Sequence, residues 1–327
     1  LLRNFKLPIV IAEIGLNHNG DVNLAKKSIK AAHLAGADLV KLQTFKSASL
    51  CSEKSKYFNI FKTCELSKKQ LKYLFDFAQN ENINLFSAVF DEWAVDTISE
   101  FDPCLLKIAS GDITHIPLIQ YAAKSKIPLL LSTGGSTMKE IKESVNSIKK
   151  IDKKLAYYLL HCVSNYPTSI KDTNLLCLQE MENIFKVPIG FSDHTKSNIT
   201  SIAASSLGAK FIEKHFTLDK RLSGPDHSLS SNPKEFKNLV DSVKLAYISR
   251  GKKRKKPVEN SMVIKIMRRG LYIKEDISSG ERITPNNIIV SRPSSGIKPK
   301  FYNKILGKKT SRSLKKGSSL KWKDIKR

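Results

Sequence analysis

His194 and His215 are the side chains whose placement points most directly to chemistry. His194 lies in Gly190-Phe191-Ser192-Asp193-His194-Thr195 and His215 in Glu213-Lys214-His215-Phe216. Each follows a largely apolar run, 187–191 or 209–212, and precedes a polar break. A histidine at the carboxyl end of a buried strand points into the place where parallel α/β barrels keep their reacting groups. Two of them on consecutive strands, with Glu13 and Glu213 at similar strand ends, form a donor set suited to a divalent metal. The alternative is a pair of partly buried histidines, each bonded to a backbone carbonyl.

Two lysines add a second kind of chemistry. Lys41 in Leu39-Val40-Lys41-Leu42 and Lys107 in Leu105-Leu106-Lys107-Ile108-Ala109 are cations within apolar strands. Such a lysine needs an anionic partner or must lose its proton. Ser110, Ser132, Gly134 and Ser192 supply hydroxyl and backbone N–H donors at the same strand ends. Two lysines and a ring of donors meet the needs of a bound phosphate. Two lysines held in internal salt bridges are the other reading. Gln43, Thr133, Ser164 and Tyr166 complete the polar rim, and Asn17-His18-Asn19-Gly20 follows Glu13. The rim thus suggests a phosphorylated substrate meeting a metal-activated group.

These residues need a scaffold that gathers many strand ends. Strand-like segments fall near residues 8–13, 37–44, 84–90, 105–110, 128–133, 156–163, 187–192 and 209–215. Helix-like segments alternate with them near 21–34, 66–80, 92–100, 116–124, 138–149, 172–183, 197–207 and 233–249, with Asp21 and Ser67 as N-caps. Eight β-α pairs predict an α/β fold, a closed (β/α)8 TIM barrel. An open doubly wound sheet is the rival, weakened because no Gly-x-Gly-x-x-Gly follows the first strand. Residues 45–65 read as an active-site loop rather than a simple connector. The pattern changes near Gly251. We expect a barrel over 1–250, a basic linker over 251–264, and a small β-rich domain over 265–327 with short strands near 271–273, 288–290 and 320–322.

Composition narrows the function classes. The 327 residues are 41% hydrophobic, without an apolar run long enough to span a bilayer. The basic segment 1–6 leads into a strand-like run containing Glu13, so no signal peptide is expected. Five cysteines, at 51, 64, 104, 162 and 177, form no Cys-x-x-Cys, which fits a reducing cytoplasm. The net charge of +26 raises nucleic-acid binding as a reading. Lysines are spread along most of the chain, however, and Lys252-Lys253-Arg254-Lys255-Lys256 resembles a linker. Neither a nucleic-acid nor a membrane partner is expected. A solvated lysine-rich surface whose field attracts anionic substrates is.

The ordered motifs resemble the sialic acid (N-acetylneuraminate) synthase family over nearly the whole chain. They are Ala12-Glu13-Ile14-Gly15-Leu16-Asn17-His18-Asn19-Gly20, Lys107-Ile108-Ala109-Ser110-Gly111-Asp112, Leu131-Ser132-Thr133-Gly134, Leu160-His161-Cys162-Val163-Ser164-Asn165-Tyr166-Pro167, the His194 motif, and Glu213 to Asp219. Asp276-Ile277, Gly280, Arg292-Pro293 and Gly307-Lys308 look like that family's antifreeze-like (SAF) domain. The resemblance implies condensation of phosphoenolpyruvate with an N-acetylated aldohexose, giving a nine-carbon 2-keto acid and phosphate. It also implies a divalent ion, Mn²⁺ or Mg²⁺, and a domain-swapped homodimer. Lys41, Lys107, Ser110, Ser132 and Ser192 would hold phosphoenolpyruvate, and His194 and His215 the metal. Glu13 and Glu213 would position water or move protons. Gln43, Asp112, Tyr166 and Asp226 would face the sugar, with Arg292 reaching in from the partner chain.

Some positions depart from the common pattern. Ser164 stands where members acting on N-acetylmannosamine often have Asn, and Asp112 where many have Glu. Val-Ser-Asn-Tyr-Pro also resembles relatives that make legionaminic acid, and Gly224-Pro225-Asp226-His227 leans away from the pseudaminic branch. The remaining alternatives are another phosphoenolpyruvate-aldose synthase, or a non-enzymatic carbohydrate- or nucleic-acid-binding protein.

Overall fold

In a computed structural model describing residues 6–252 and 254–326, eight parallel strands close into one barrel in chain order. They are β1 (Ile9–Gly15), β2 (Leu39–Thr44), β3 (Leu85–Val89), β4 (Leu106–Ile108), β5 (Leu129–Ser132), β6 (Tyr157–Cys162), β7 (Ile189–Asp193) and β8 (Phe211–His215). Closure comes from β8 lying beside β1, with Glu13 opposite His215. Strand side chains alternate between the two faces, and that alternation builds two cores. One set, including Ile9, Ile11, Leu39, Phe86, Leu130, Leu160 and Phe211, fills the barrel. The other, including Val10, Ala12, Val40, Leu85 and Leu131, packs under the helices. Gly190 keeps the first set dense, because a Cβ there would lie 2.5 Å from both Leu160 Cδ2 and Phe211 Cβ.

The surrounding helices are α1 (Val22–Leu34), α2 (Ser47–Leu50), α3 (Phe58–Cys64), α4 (Lys68–Asn80), α5 (Glu92–Ser99), α6 (Ile116–Lys124), α7 (Met138–Ile151), α8 (Cys177–Phe185), α9 (Ile199–Leu207) and α10 (Pro233–Ser249). Asp21 caps α1 and a Ser67/Gln70 capping box starts α4, as their sequence positions suggest. None of the described helices is long and apolar enough to cross a membrane.

Residues 45–65, read as an active-site loop, carry two short helices, α2 and α3. Glu65 accepts the Ser47 N–H and hydroxyl, and Phe45 packs edge-on against Phe61 and Phe90 at 5.8 and 6.0 Å. Helix α8 starts at Cys177 rather than 172. A 3-10 turn, Ile170–Asp172, takes the preceding residues, and the Thr173 carbonyl bonds to His161 Nε2 instead of propagating a helix.

Beyond Gly251 the chain forms a second compact unit. Its elements are α11 (Ser261–Met267), β9 (Gly270–Ile273), β10 (Ile288–Ser291) and α12 (Tyr302–Ile305), with β9 and β10 antiparallel. Helix α11 begins inside the segment read as linker. Leu271, Ile273, Ile283, Ile288, Ile297, Ile305 and Leu320 form its core. The strand expected at 320–322 is absent. Asp324 accepts the Lys321 N–H, and Trp322–Asp324 turns into a 3-10 helix. Residues 1–5 of the basic amino-terminal segment, Lys253 of the basic cluster and Arg327 lie outside the described residues.

Candidate active site

The alternation that points Ile9, Ile11, Leu39 and Phe211 into the barrel points Glu13, Lys41, Gln43, Glu213 and His215 inward one or two steps later. They meet in a cavity of about 380 Å³ at the carboxyl ends of the strands. Lys107, Ser110, Ser132, Ser164, Tyr166, Ser192, His194 and Asp226 line it as well. Asp112 sits on the 3-10 turn Ser110–Asp112 and does not line the cavity; its ion-pair neighbour is His115, at 3.9 Å. Arg292 follows β10 in the second unit and is exposed. Phe61, Ala88 and Phe90 also line the cavity. Sequence reasoning missed them because an apolar side chain beside a polar rim carries no chemical signal. A larger cleft of about 670 Å³, between α4 and the start of β3, gathers none of the strand-end polar groups.

The lysines are held by carboxylates. Lys41 Nζ lies 3.0 Å from Glu13 Oε2 and 2.7 Å from Glu213 Oε2, while Lys107 Nζ is 3.3 Å from Glu213 Oε1. The Ser192 hydroxyl donates to Glu213 Oε1 at 2.9 Å, and Gln43 Nε2 to Glu13 Oε1 at 2.7 Å. All four charged groups are buried. Their proton affinities follow from that arrangement. Burial opposes charge on Lys41, but two carboxylates outweigh it and raise its pKa. Burial lowers the pKa of Lys107 to about 8, because one carboxylate, shared with Lys41, does not compensate. Burial would raise Glu213, yet the two lysines hold it well below the carboxylate range. Burial raises Glu13 against the pull of Lys41. Two lysines and two carboxylates thus share this end of the cavity, and the buried Ser132 hydroxyl has no partner among the described residues.

The histidines form the other end. His194 Nδ1 bonds to the Val163 carbonyl at 2.7 Å, leaving Nε2 as the lone-pair nitrogen. The tautomer follows from that bond. Burial lowers the His194 pKa to about 4, so the ring is neutral. The two imidazole centroids are 5.6 Å apart, and Tyr166 packs 4.1 Å from His194. His215 Nδ1 is buried, has no hydrogen-bond partner among the described residues, and lies 3.7 Å from Asp226 Oδ2. Among the described residues no three His, Cys, Asp or Glu side chains form a ready-made metal cage. Two imidazoles fit an ion whose remaining positions belong to water or substrate, as in catalytic rather than structural sites.

Outside the barrel wall, a polar network steadies the strands carrying these groups. Lys214 Nζ donates to Asp193 Oδ2 at 2.9 Å and to the carbonyls of Thr195 and Ser197. Asp193 also accepts from Thr200 and Ser201. Gly134 makes the opposite rim possible. Its N–H donates to Ser110 Oγ at 3.1 Å. A Cβ there would overlap Ser164 Oγ and come within 2.8 Å of Cys162 Sγ and 2.9 Å of Ser110 Oγ. Gly134→Ala is therefore expected to weaken binding of inorganic phosphate at this rim about tenfold by displacing one hydroxyl donor. Unchanged phosphate affinity, read by calorimetry, would remove Ser110 from the ligand site.

Comparison with known proteins agrees with this architecture. A model of the NeuB family matches residues 28–255, and one of the SAF domain matches 268–326. The N,N'-diacetyllegionaminic acid synthase of Legionella pneumophila is 39% identical, covering 97% of this chain and 94% of that protein. The pseudaminic acid synthase of Helicobacter pylori is 35% identical, covering 98% of each. A crystal structure of N-acetylneuraminic acid synthetase from Leptospira borgpetersenii has a TM-score of 0.75 and 37% identity, covering 78% of this chain and 88% of that one.

Proposed function

Because this chain belongs to the NeuB family, we propose that it condenses phosphoenolpyruvate with an N-acetylated mannose-type sugar and water, giving a nonulosonic acid and phosphate. The observation that carries the reading is one cavity joining the buried Lys41–Lys107–Glu213–Glu13 cluster to the paired imidazoles of His194 and His215. A 2,4-diacetamido-trideoxy sugar is favoured over N-acetylmannosamine. Ser164-Asn165-Tyr166-Pro167 and 38–39% identity to two legionaminic acid synthases support that choice.

In this reading Lys41, Lys107, Ser110, Ser132 and Ser192 grip the phosphate throughout, so catalysis rests largely on orientation and fixed charge. Carbon 3 of phosphoenolpyruvate attacks the open-chain aldehyde carbon. Water adds at carbon 2, and phosphate leaves by C–O cleavage, yielding the 2-keto acid. Glu13, whose proton affinity burial raises, takes one proton from that water and returns it to the former aldehyde oxygen, while the water's second proton leaves with phosphate. Glu213 holds both lysines in place. A Mn²⁺ or Mg²⁺ ion on His194 and His215 would supply Lewis acidity toward the aldehyde oxygen. Gln43, Tyr166 and Asp226 line the sugar end.

The test is mass spectrometry of products formed from phosphoenolpyruvate with each candidate sugar. The expected product with the diacetamido sugar is the nine-carbon acid, with one phosphate released per product. A seven- or eight-carbon acid, or no phosphate release with any N-acetylated aldose, would refute the reading.

A further inference from the structure

The charge of this chain is unevenly distributed. Residues 252–327 carry 23 lysines and arginines against 5 acids, a net +18 of the chain's +26. From Arg282 onward there are 14 basic residues and one acid, Asp324. That acid is fully buried and already accepts from Lys321 N–H and Arg312 Nε. Nothing in the proposed chemistry uses this excess.

Within the second unit the excess has a focus. The rings of Phe301 and Trp322 meet edge-on at 5.3 Å, which joins the segment around α12 to the 3-10 turn Trp322–Asp324. Lys300 Nζ sits 4.9 Å over the Phe301 ring. Ile297 N–H donates to the Leu320 carbonyl at 2.7 Å, bringing Lys298 alongside Lys321. Lys298, Lys300, Lys304, Lys321 and Lys323 are all exposed, and Trp322, between the last two, is 48% exposed.

We propose that this lysine-ringed Trp322 face is a docking surface for an anionic lipid bilayer. Each juxtamembrane lysine adds an attraction to anionic headgroups, and Trp is the side chain that settles at a bilayer interface. All five residues are lysine rather than arginine. Lysine offers a mobile point charge suited to a fluid sheet of phosphates, whereas base and bidentate phosphate recognition favour the arginine fork. A single exposed tryptophan also differs from the successive stacking rings that single-stranded nucleic acid uses. The sequence-based expectation of no membrane partner rested on the lack of a spanning segment, which does not bear on peripheral contact.

The full chain should sediment with phosphatidylcholine vesicles containing phosphatidylglycerol, not with phosphatidylcholine alone, and salt well above about 0.15 M should release it. In a Trp93→Phe background, leaving Trp322 as the sole tryptophan, emission should shift to the blue on vesicle binding. Lys321→Glu with Lys323→Glu should weaken binding by at least about 25-fold, two attractions of roughly fivefold each. Failure to sediment with the anionic vesicles would overturn the proposal. So would unchanged binding in the double variant, or tighter binding to single-stranded DNA without the vesicle-induced shift.

Discussion

Replacing Lys107 with methionine is expected to raise the KM for phosphoenolpyruvate roughly 30- to 150-fold, the 2–3 kcal/mol of one lost charge-assisted contact. The KM for the sugar should change little. Methionine keeps the length and apolar stem of lysine, so the barrel should still close. Glu213 would retain Lys41 at 2.7 Å and the Ser192 hydroxyl at 2.9 Å, so its charge is not left unpaired. A purely internal salt bridge makes a different forecast: lower thermal stability and no selective effect on phosphoenolpyruvate. Steady-state kinetics with thermal denaturation separate the two. The proton affinity of Lys107 adds a signature. Because burial lowers its pKa to about 8, the free enzyme loses this cation as pH rises through that value. The KM for phosphoenolpyruvate should therefore climb above about pH 8 in the native protein and no longer depend on this group in Lys107→Met. A parallel climb in both proteins would assign the titration elsewhere.

His194→Ala and His215→Ala are each expected to lower turnover by roughly three orders of magnitude, the several kcal/mol that a Lewis acid supplies. Both should fold, because the outer Lys214–Asp193 network holding β7 and β8 is untouched. They differ in their attachments. His194 is oriented by the Val163 carbonyl, whereas His215 Nδ1 has no hydrogen-bond partner among the described residues and faces Asp226. Mn²⁺ binding, read by electron paramagnetic resonance without substrate, should weaken in each variant. Chelation of the native enzyme should abolish activity, and added Mn²⁺ or Mg²⁺ should restore it. Full turnover in excess chelator would end the metal assignment, as would native Mn²⁺ affinity in both alanine variants.

The sequence determined the barrel and its rim because both are written in local periodicity. Eight apolar runs separated by capped amphipathic helices admit few topologies, and period-2 alternation decides which residues share a face. Glu13 follows Ile9 and Ile11 by even steps and must point inward with them. The same parity separates two kinds of buried lysine. Lys41 falls in step with Leu39 and points into the barrel, whereas Lys214 lies one step out of phase with Glu213 and His215 and serves the outer wall. Which groups pair was decided only by the closed structure. Lys41 meets Glu213 across 172 positions of sequence, and nothing local foretells that Lys107, 106 positions from Glu213, shares the same carboxylate at 3.3 Å. That sharing gives the two lysines opposite shifts, since a pKa depends on burial and neighbouring charge rather than on residue type. The helices within 45–65, the apolar wall of Phe61 and Phe90, and the place of Asp112 outside the cavity also come from tertiary packing. Their partners, unlike a cap or an alternating strand, are distant in the chain.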